Sequence, residues 1–151
     1  MHFWGKSPLG LVEDVNHVFP ASQRLRHRSD FRAAIRGATS GSKLVVVHVV
    51  IRSSDPATAD LINGPRVGVV CSKSVGNSVV RHTVARHLRH VAKNLVDDLP
   101  RNVDLVIRAR PAAANASHSA LAEAVTYCTN KAYGKARRRE AKKAKAKKSE
   151  S

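Results

Sequence analysis

Positively charged side chains are concentrated between Arg66 and Asp97, a stretch with no carboxylate between its end residues. An arginine guanidinium can donate two hydrogen bonds to one phosphate, so regularly spaced arginines favour a polyanionic ligand. Helical side chains three or four residues apart lie about 5 to 6 Å from one another, close to the phosphate repeat of a nucleic-acid strand. The chemistry that this stretch supports is therefore nucleic-acid binding. Its basic side chains are Lys73, Arg81, His82, Arg86, His87, Arg89, His90 and Lys93.

One amphipathic helix over residues 77–96 is predicted to carry most of these side chains, with Asn77 as its N-cap. Its apolar residues recur at spacings of four, four, three and four, and they fall in a sector about 80° wide. The basic residues fall roughly opposite, with Arg81 on the flank. The apolar stripe is Val80, Val84, Leu88, Val91 and Leu95, and the basic side is His82, Arg86, Arg89, His90 and Lys93.

The basic side of this helix has a second interpretation, as an ordinary solvated surface. A surface that is only soluble usually mixes charges of both signs, and no acid occurs here, which favours binding. Lys73 likewise has a structural interpretation as an exposed charge after a strand.

The whole chain is basic, with 27 Lys and Arg against 11 Asp and Glu in 151 residues, a formal net charge of +16. Such an excess is typical of proteins that bind polyanions, and nucleic acid is the leading candidate. Residues 134–151 hold nine basic and two acidic side chains, which leaves 18 basic and nine acidic side chains in residues 1–133. The basicity therefore does not depend on the tail. We expect 134–151 to be a disordered basic tail, either an arm that becomes partly helical on RNA or a solubilising end.

Several classes of protein are disfavoured. No apolar run approaches the roughly 20 residues that a membrane-spanning helix needs. Cys71 and Cys128 cannot build a disulfide framework, which indicates a reducing, cytoplasmic setting. Asp97 and Asp98 would point about 100° apart on a helix, unlike a two-metal nuclease site. His82, His87 and His90 lack the cysteine or carboxylate partners of a zinc site, so we predict no metal site and no catalytic residue in the chain.

The pattern of elements predicts an α+β fold, a two-layer α/β sandwich in the order α-β-β-α-β-α. We expect an extension over 1–17, a domain over 18–133 and a loop over 53–65. The predicted strands lie over 44–51, 66–72 and 103–107. The first predicted helix lies within 24–36, is capped by Ser29 or Asp30 and ends at Gly37. The second is the helix over 77–96, and the last has Leu121, Val125, Cys128 and Ala132 on its apolar side.

Residues 66–81, RVGVVCSKSVGNSVVR, together with Arg86 and Arg89, resemble the signature of the protein subunit of bacterial ribonuclease P. Phe31, Ile35 and Gly37 resemble the first helix of that family, and residues 104–111, DLVIRARP, resemble its strand that ends in Ala-Arg-Pro. The resemblance covers about residues 20–133. It implies a left-handed crossover between the second and third strands and a sandwich fold shared with a domain of a small-subunit ribosomal protein.

The resemblance implies a small basic protein that joins a catalytic RNA and promotes removal of the 5′ leader from precursor tRNA. It implies that Mg²⁺ is bound mainly by the RNA and its substrate, and it indicates no obligate protein partner. The alternative is a non-catalytic RNA-binding or ribosomal-type protein. The resemblance implies RNA binding by Lys73, Asn77, Arg81, Arg86 and Arg89, and the basic side of the helix adds His82 and Lys93. It implies that Phe31 lines the leader cleft, where we also place Ile35, His48 and Arg66.

The sequence also departs from the family pattern. His82, Thr83 and Ala85 stand where the family usually has Asn, Arg and Lys, which removes two cations from the helix. Ile35 stands at a common aromatic position, and His48 replaces a Tyr. We therefore expect weaker core contacts, with the arginine cluster of 24–36 and the tail compensating through phosphate neutralisation.

Overall fold

The computed structural model describes residues 23–52 and 64–150. The predicted extension over 1–17 and most of the predicted loop over 53–65 lie outside these residues. In the described part, short 3₁₀ turns at Lys73–Val75 and Pro111–Asn115 join the main elements. Those elements are α1 (Arg28–Ile35), β1 (Ala38–Gly41), β2 (Val45–Ile51), β3 (Arg66–Val70), α2 (Ser78–Val96), β4 (Val103–Ala109) and α3 (His118–Glu150).

The four strands form one mixed sheet in the order β1-β2-β4-β3. β2 lies antiparallel to both β1 and β4, whereas β3 and β4 are parallel and joined through α2. This arrangement confirms the predicted α+β class and the helix-connected crossover. The left-handed sense of that crossover stays a prediction.

The strand β1 was not predicted, so the six-element order is wrong by one element. Its residues, Ala-Thr-Ser-Gly, have little β propensity and no apolar alternation. The strand forms because it pairs antiparallel with β2 along the edge of the sheet, from Ala38 opposite Val49 to Gly41 opposite Val46. Its existence therefore depends on a partner strand and not on its own residues.

The helix α1 begins earlier than predicted. Its N-cap is His27, so Ser29 and Asp30 lie inside the first turn and neither is the cap. The predicted end at Gly37 is confirmed, and a β-carbon at Gly37 would clash with the carbonyl oxygen of Val49. Glycine is therefore needed where α1 turns back onto the sheet.

The two faces of the sheet are covered differently. Val47, Leu105 and Ile107 belong to the main core, which the sheet forms with α2 and α3 on one face. On the other face Val106 packs with Leu25 and with Ala34 of α1. This division follows from the alternation of side chains along a strand.

The last helix is longer than predicted, and it corrects the expectation of a disordered tail for the residues up to Glu150. The predicted apolar side, Leu121, Val125, Cys128 and Ala132, is fully buried, and Ala136 extends it by one turn. From residue 137 to residue 148 every residue is exposed. Alanine, lysine, arginine and glutamate all have high helix propensity, so nothing in this segment stops the helix.

Candidate nucleic-acid interface

The loop before α2 is shaped by a glycine and an asparagine. Gly76 has φ of 157°, and the side-chain oxygen of Asn77 accepts a hydrogen bond from the Val80 backbone N–H at 3.0 Å. Asn77 is therefore the N-cap of α2, as predicted. Lys73 lies exposed in the 3₁₀ turn just before it.

The buried side of α2 is wider than the predicted stripe. Ala85, Ala92 and Val96 are buried in addition to Val84, Leu88 and Val91. With these residues included, the centre of the buried side is rotated by roughly 50° around the helix axis from the centre of the predicted stripe. Arg89 therefore lies at the edge of the packed face and not opposite it. His82 and His90 are exposed, and Arg86 and Lys93 are half-buried.

Arg81 and Arg89 both face the end of β3. Burial raises the pKa of the Cys71 thiol to about 11, and the positive charges of Arg89 and Arg81 oppose that rise. Both guanidinium groups therefore lie close enough to Cys71 to act on it, although they are two turns apart on α2. At neutral pH this thiol is protonated, which removes it as a nucleophile.

A cleft with a volume of about 240 Å³ opens at the outer edge of β3. Arg89 reaches it from α2, and Phe31 reaches it from α1. Among the described residues no carboxylate lines it, so the charged groups that they contribute are all cations. Its lining residues are Arg24, Leu25, Arg26, Phe31, Val67, Gly68, Val69 and Arg89.

Arg24 and Arg26 reach the cleft because their segment pairs with β3. The Leu25 N–H donates to the Val67 carbonyl at 3.0 Å, and Arg24 forms an isolated bridge with Val67. The sequence showed arginines crowded in this segment, but no local pattern indicated that they would meet Arg89. Their common position depends on a contact across more than 40 residues.

Arg24 and Arg89 repel each other in the cleft, and two arginines of this surface have unused hydrogen-bonding capacity. Burial and the neighbouring charge of Arg24 lower the pKa of Arg89, although the Cys71 side chain partly opposes this. The Nε atoms of Arg24 and Arg81 are buried and have no acceptor within residues 23–52 and 64–150. A buried donor that lacks an acceptor is costly, and an anion would satisfy it.

Phe31 lies directly against the backbone of β3. A β-carbon added at Gly68 would lie 2.6 Å from Phe31 Cζ, so glycine allows the ring to approach the strand. The ring packs against the small cluster of Leu25, Ala34 and Val106 on the α1 face. Phe31 therefore anchors α1 and lines the cleft at the same time.

The other predicted leader-cleft residues occupy different environments. Ile35 is 41% exposed on α1. His48 is buried on β2, where its Nδ1 lies 3.0 Å from Thr39 Oγ1. Burial and the nearby charge of Arg108 lower the pKa of His48, and a hydrogen bond from its ring to the backbone of Ile35 partly opposes this. His48 is therefore neutral at physiological pH and lies beneath the surface rather than on it.

Arg66 differs from its expected role. It binds the buried carboxylate of Asp104 with two hydrogen bonds, at 2.9 and 2.7 Å, and it pairs with Asp30 at 3.3 Å. Arg52 also pairs with Asp104 at 3.3 Å. The protein's own acids thus occupy the Arg66 guanidinium, and we assign this residue a structural role.

The described residues contain neither a group of three or more metal-ligating side chains nor a helix able to span a membrane.

Comparison with known proteins identifies the family. The Ribonuclease P family model matches residues 19–133, which include the whole cleft and all of α2. The chain belongs to the ribonuclease P protein family. A ribonuclease P protein component of Nocardia farcinica is 42% identical over 123 residues, covering 72% of this chain and 79% of that protein. One of Rhodococcus opacus is 48% identical over 104 residues, covering 66% of this chain and 80% of that protein.

Solved structures of the ribonuclease P protein family share the fold. A Staphylococcus aureus RNase P protein aligns with a TM-score of 0.61 at 20% identity, covering 72% of this chain and 93% of that one. An RNase P protein from Thermotoga maritima aligns with a TM-score of 0.56 at 20% identity, covering 69% and 92%. The family match ends at residue 133, so the exposed basic end of α3 lies beyond it.

Proposed function

We propose that this protein is the protein subunit of a cytoplasmic ribonuclease P ribonucleoprotein. In this role it binds the catalytic RNA and the 5′ leader of precursor tRNA, and it promotes endonucleolytic removal of the leader to give the mature 5′ end. It needs no other protein partner. Family membership supports the subunit role, and the positively charged surface described above supports RNA as the ligand.

The catalytic RNA would contact the loop at Lys73 and the cationic side of α2. Arg81 and Arg89 lie two turns apart on this helix, so together they can reach phosphates on a folded RNA. Asn77 acts mainly by fixing the start of the helix. The residues that we assign to this contact are Lys73, Asn77, Arg81, His82, Arg86, Arg89 and Lys93.

The leader would lie along the cleft at the edge of β3. Phe31 is half-buried and offers its ring for base stacking, which contributes about 1 to 3 kcal/mol per base where it occurs. The exposed side chain of Ile35 extends the apolar surface along α1, while His48 supports it from below. The observation that carries this assignment is the cleft itself, which joins three arginines and one aromatic ring and has no carboxylate among its described lining residues.

We place the hydrolytic chemistry and its Mg²⁺ in the RNA subunit and the substrate. The described residues do not fit a metal centre, since no three of their His, Cys, Asp or Glu side chains come together. The protein contributes affinity and positioning and neutralises phosphate charge near the scissile bond.

Cleavage of precursor tRNA by a bacterial ribonuclease P RNA at low Mg²⁺ tests the proposal. The full chain should increase the cleavage rate under these conditions, because its cations replace part of the ionic screening that the RNA needs. If cleavage is unchanged while the chain still binds other RNAs with similar affinity, the protein is instead a non-catalytic RNA-binding or ribosomal-type protein.

A further inference from the structure

Arg108 occupies an unusual position on β4, a strand in the middle of the sheet. Its side chain is exposed, although the strand around it is otherwise buried from Val103 to Ala109. It makes no side-chain hydrogen bond or ion pair with the part of the chain that the structure describes. A charged side chain on a central strand usually has a partner. Asp104, four residues before Arg108 on the same strand, is paired with Arg66.

The strand register defines what surrounds Arg108. Gly41, Val46, Arg108 and Val70 lie side by side in one row across all four strands. The next row holds Thr39, His48, Val106 and Gly68, and Phe31 lies against Gly68. Because side chains alternate along a strand, both rows face the α1 side of the sheet.

The helix α1 covers the second row but leaves Arg108 open. His48 and Val106 are buried, whereas Val46 and Val70 are half-buried on either side of the exposed Arg108. The Cα atoms of Arg108 and Val106 are about 7 Å apart along β4. Gly68 lies opposite Val106 on β3, one strand spacing of about 4.8 Å away. The backbone of Arg108 is therefore about 8 Å from the strand position beneath the Phe31 ring, on the part of the sheet that α1 leaves open and between the half-buried Val46 and Val70.

We propose that Arg108 binds a phosphodiester of the single-stranded leader, on the opposite side of Phe31 from the arginines of the cleft. This inference rests on the proposed function and extends it. Arg108 would supply the cation that the sequence predicts at Arg66. A phosphate contact at this position would add affinity for any leader that is long enough to reach it, regardless of base sequence.

The test uses the complete holoenzyme, formed from the full chain and the catalytic RNA. Its substrates are a precursor tRNA with a ten-nucleotide leader and the same tRNA with a one-nucleotide leader. Arg108→Met should weaken binding of the long-leader substrate about tenfold, as expected for one lost charge-assisted hydrogen bond. Binding of the short-leader substrate should be unchanged. The salt dependence for the long leader should become shallower by about 0.7, the slope per phosphate of a single strand.

Two further variants sharpen the test. Arg108→Lys retains the charge and should restore most of the affinity for the long leader. Arg139→Ala removes one positive charge from the exposed part of α3. Any change that it causes in binding should therefore be equal for the long-leader and short-leader substrates. The assignment of Arg108 as a leader contact is overturned if Arg108→Met weakens binding of both substrates equally or changes the binding of neither.

The two proposals fail in different ways. If the wild-type protein does not stimulate cleavage of either substrate, the subunit role itself is wrong and the Arg108 assignment is lost with it. If the wild-type protein stimulates cleavage and Arg108→Met shows no leader-length effect, only the assignment of Arg108 is wrong.

Discussion

Arg66 and Asp104 face each other across the parallel strands β3 and β4, joined by two hydrogen bonds of 2.9 and 2.7 Å. Asp104 is only 3% exposed in its side chain. Arg66 is the first residue of β3 and Asp104 is the second residue of β4. Because α2 connects these two strands, their ion pair fixes the strands that precede and follow the cationic helix. The surface that we assign to RNA is thus positioned by a pair to which we assign a structural role.

Asp104→Asn should destabilise the fold, because it leaves the charges of Arg66 and Arg52 without their shared partner. We expect a loss of about 2 to 4 kcal/mol in the free energy of unfolding, less than for a fully buried pair because both arginines keep some solvent contact. Urea unfolding measures this loss. Asp98→Asn, at an exposed position after α2, is the control and should change stability by no more than about 0.5 kcal/mol. Equal stability of the two variants would contradict the role of the pair.

Gly68→Ala should displace the Phe31 ring from β3. The new methyl group overlaps the ring and also approaches Leu25 Cβ to 3.3 Å. We expect a loss of about 1 to 3 kcal/mol in stability, the usual cost of overpacking, together with weaker binding of long-leader substrate. The matched control is Gly41→Ala, where the nearest atom to the added carbon, Val46 Cγ2, is 3.6 Å away. A tolerated Gly68→Ala substitution with normal leader binding would show that close approach of the ring is unnecessary.

Arg86→Ala and Arg89→Ala should each weaken binding to the catalytic RNA and make its salt dependence shallower by about one unit of slope. Filter binding over a range of salt concentrations gives the slopes. Asn94→Ala changes an exposed, uncharged position of α2 and should leave the slope unaltered. If both arginine variants keep the slope of the wild type, this side of α2 is an ordinary solvated surface and does not bind RNA.

The stability of the protein should fall as the pH drops below about 6.5, in part through His48. Its pKa in the folded state lies below its ordinary value of 6.5, because of burial and the charge of Arg108. The unfolded chain therefore binds more protons in this range, and stability present at neutral pH is lost as the pH falls through the folded pKa. His48→Gln should flatten the profile of urea unfolding between pH 7 and 5, whereas the exposed His90→Gln should not. An unchanged profile in His48→Gln would exclude this residue as a source.

The exposed part of α3 offers a separate electrostatic prediction. Replacing Lys142, Lys143, Lys145, Lys147 and Lys148 by glutamine keeps helix-forming residues while removing five charges. If this segment contacts RNA, the salt-dependence slope should become shallower by about 3 to 5 units. Circular dichroism should show retained helicity. A slope equal to that of the wild type would identify the segment as a solubilising end.

Local sequence patterns were sufficient to predict α2. Its apolar spacing, the cap at Asn77 and the absence of acids are all properties of neighbouring residues, and helix packing depends on such short-range periodicity. The strands β2, β3 and β4 were predicted within two residues of their ends for the same reason, since they are short β-branched runs between turn residues. The excess of positive charge required no structure at all.

Tertiary structure decided the features that depend on partners distant in the sequence. Strand β1 exists only because β2 lies beside it, and Arg66 became a structural residue because the register places Asp104 opposite. The pairing of Leu25 with Val67 brought two further arginines to Arg89, and the limited reach of α1 left Arg108 exposed. Residue spacing encodes which side of an element is apolar, but it does not encode which other element covers that side. The charge of the surface that we assign to RNA could therefore be predicted from the sequence, whereas its shape required the fold.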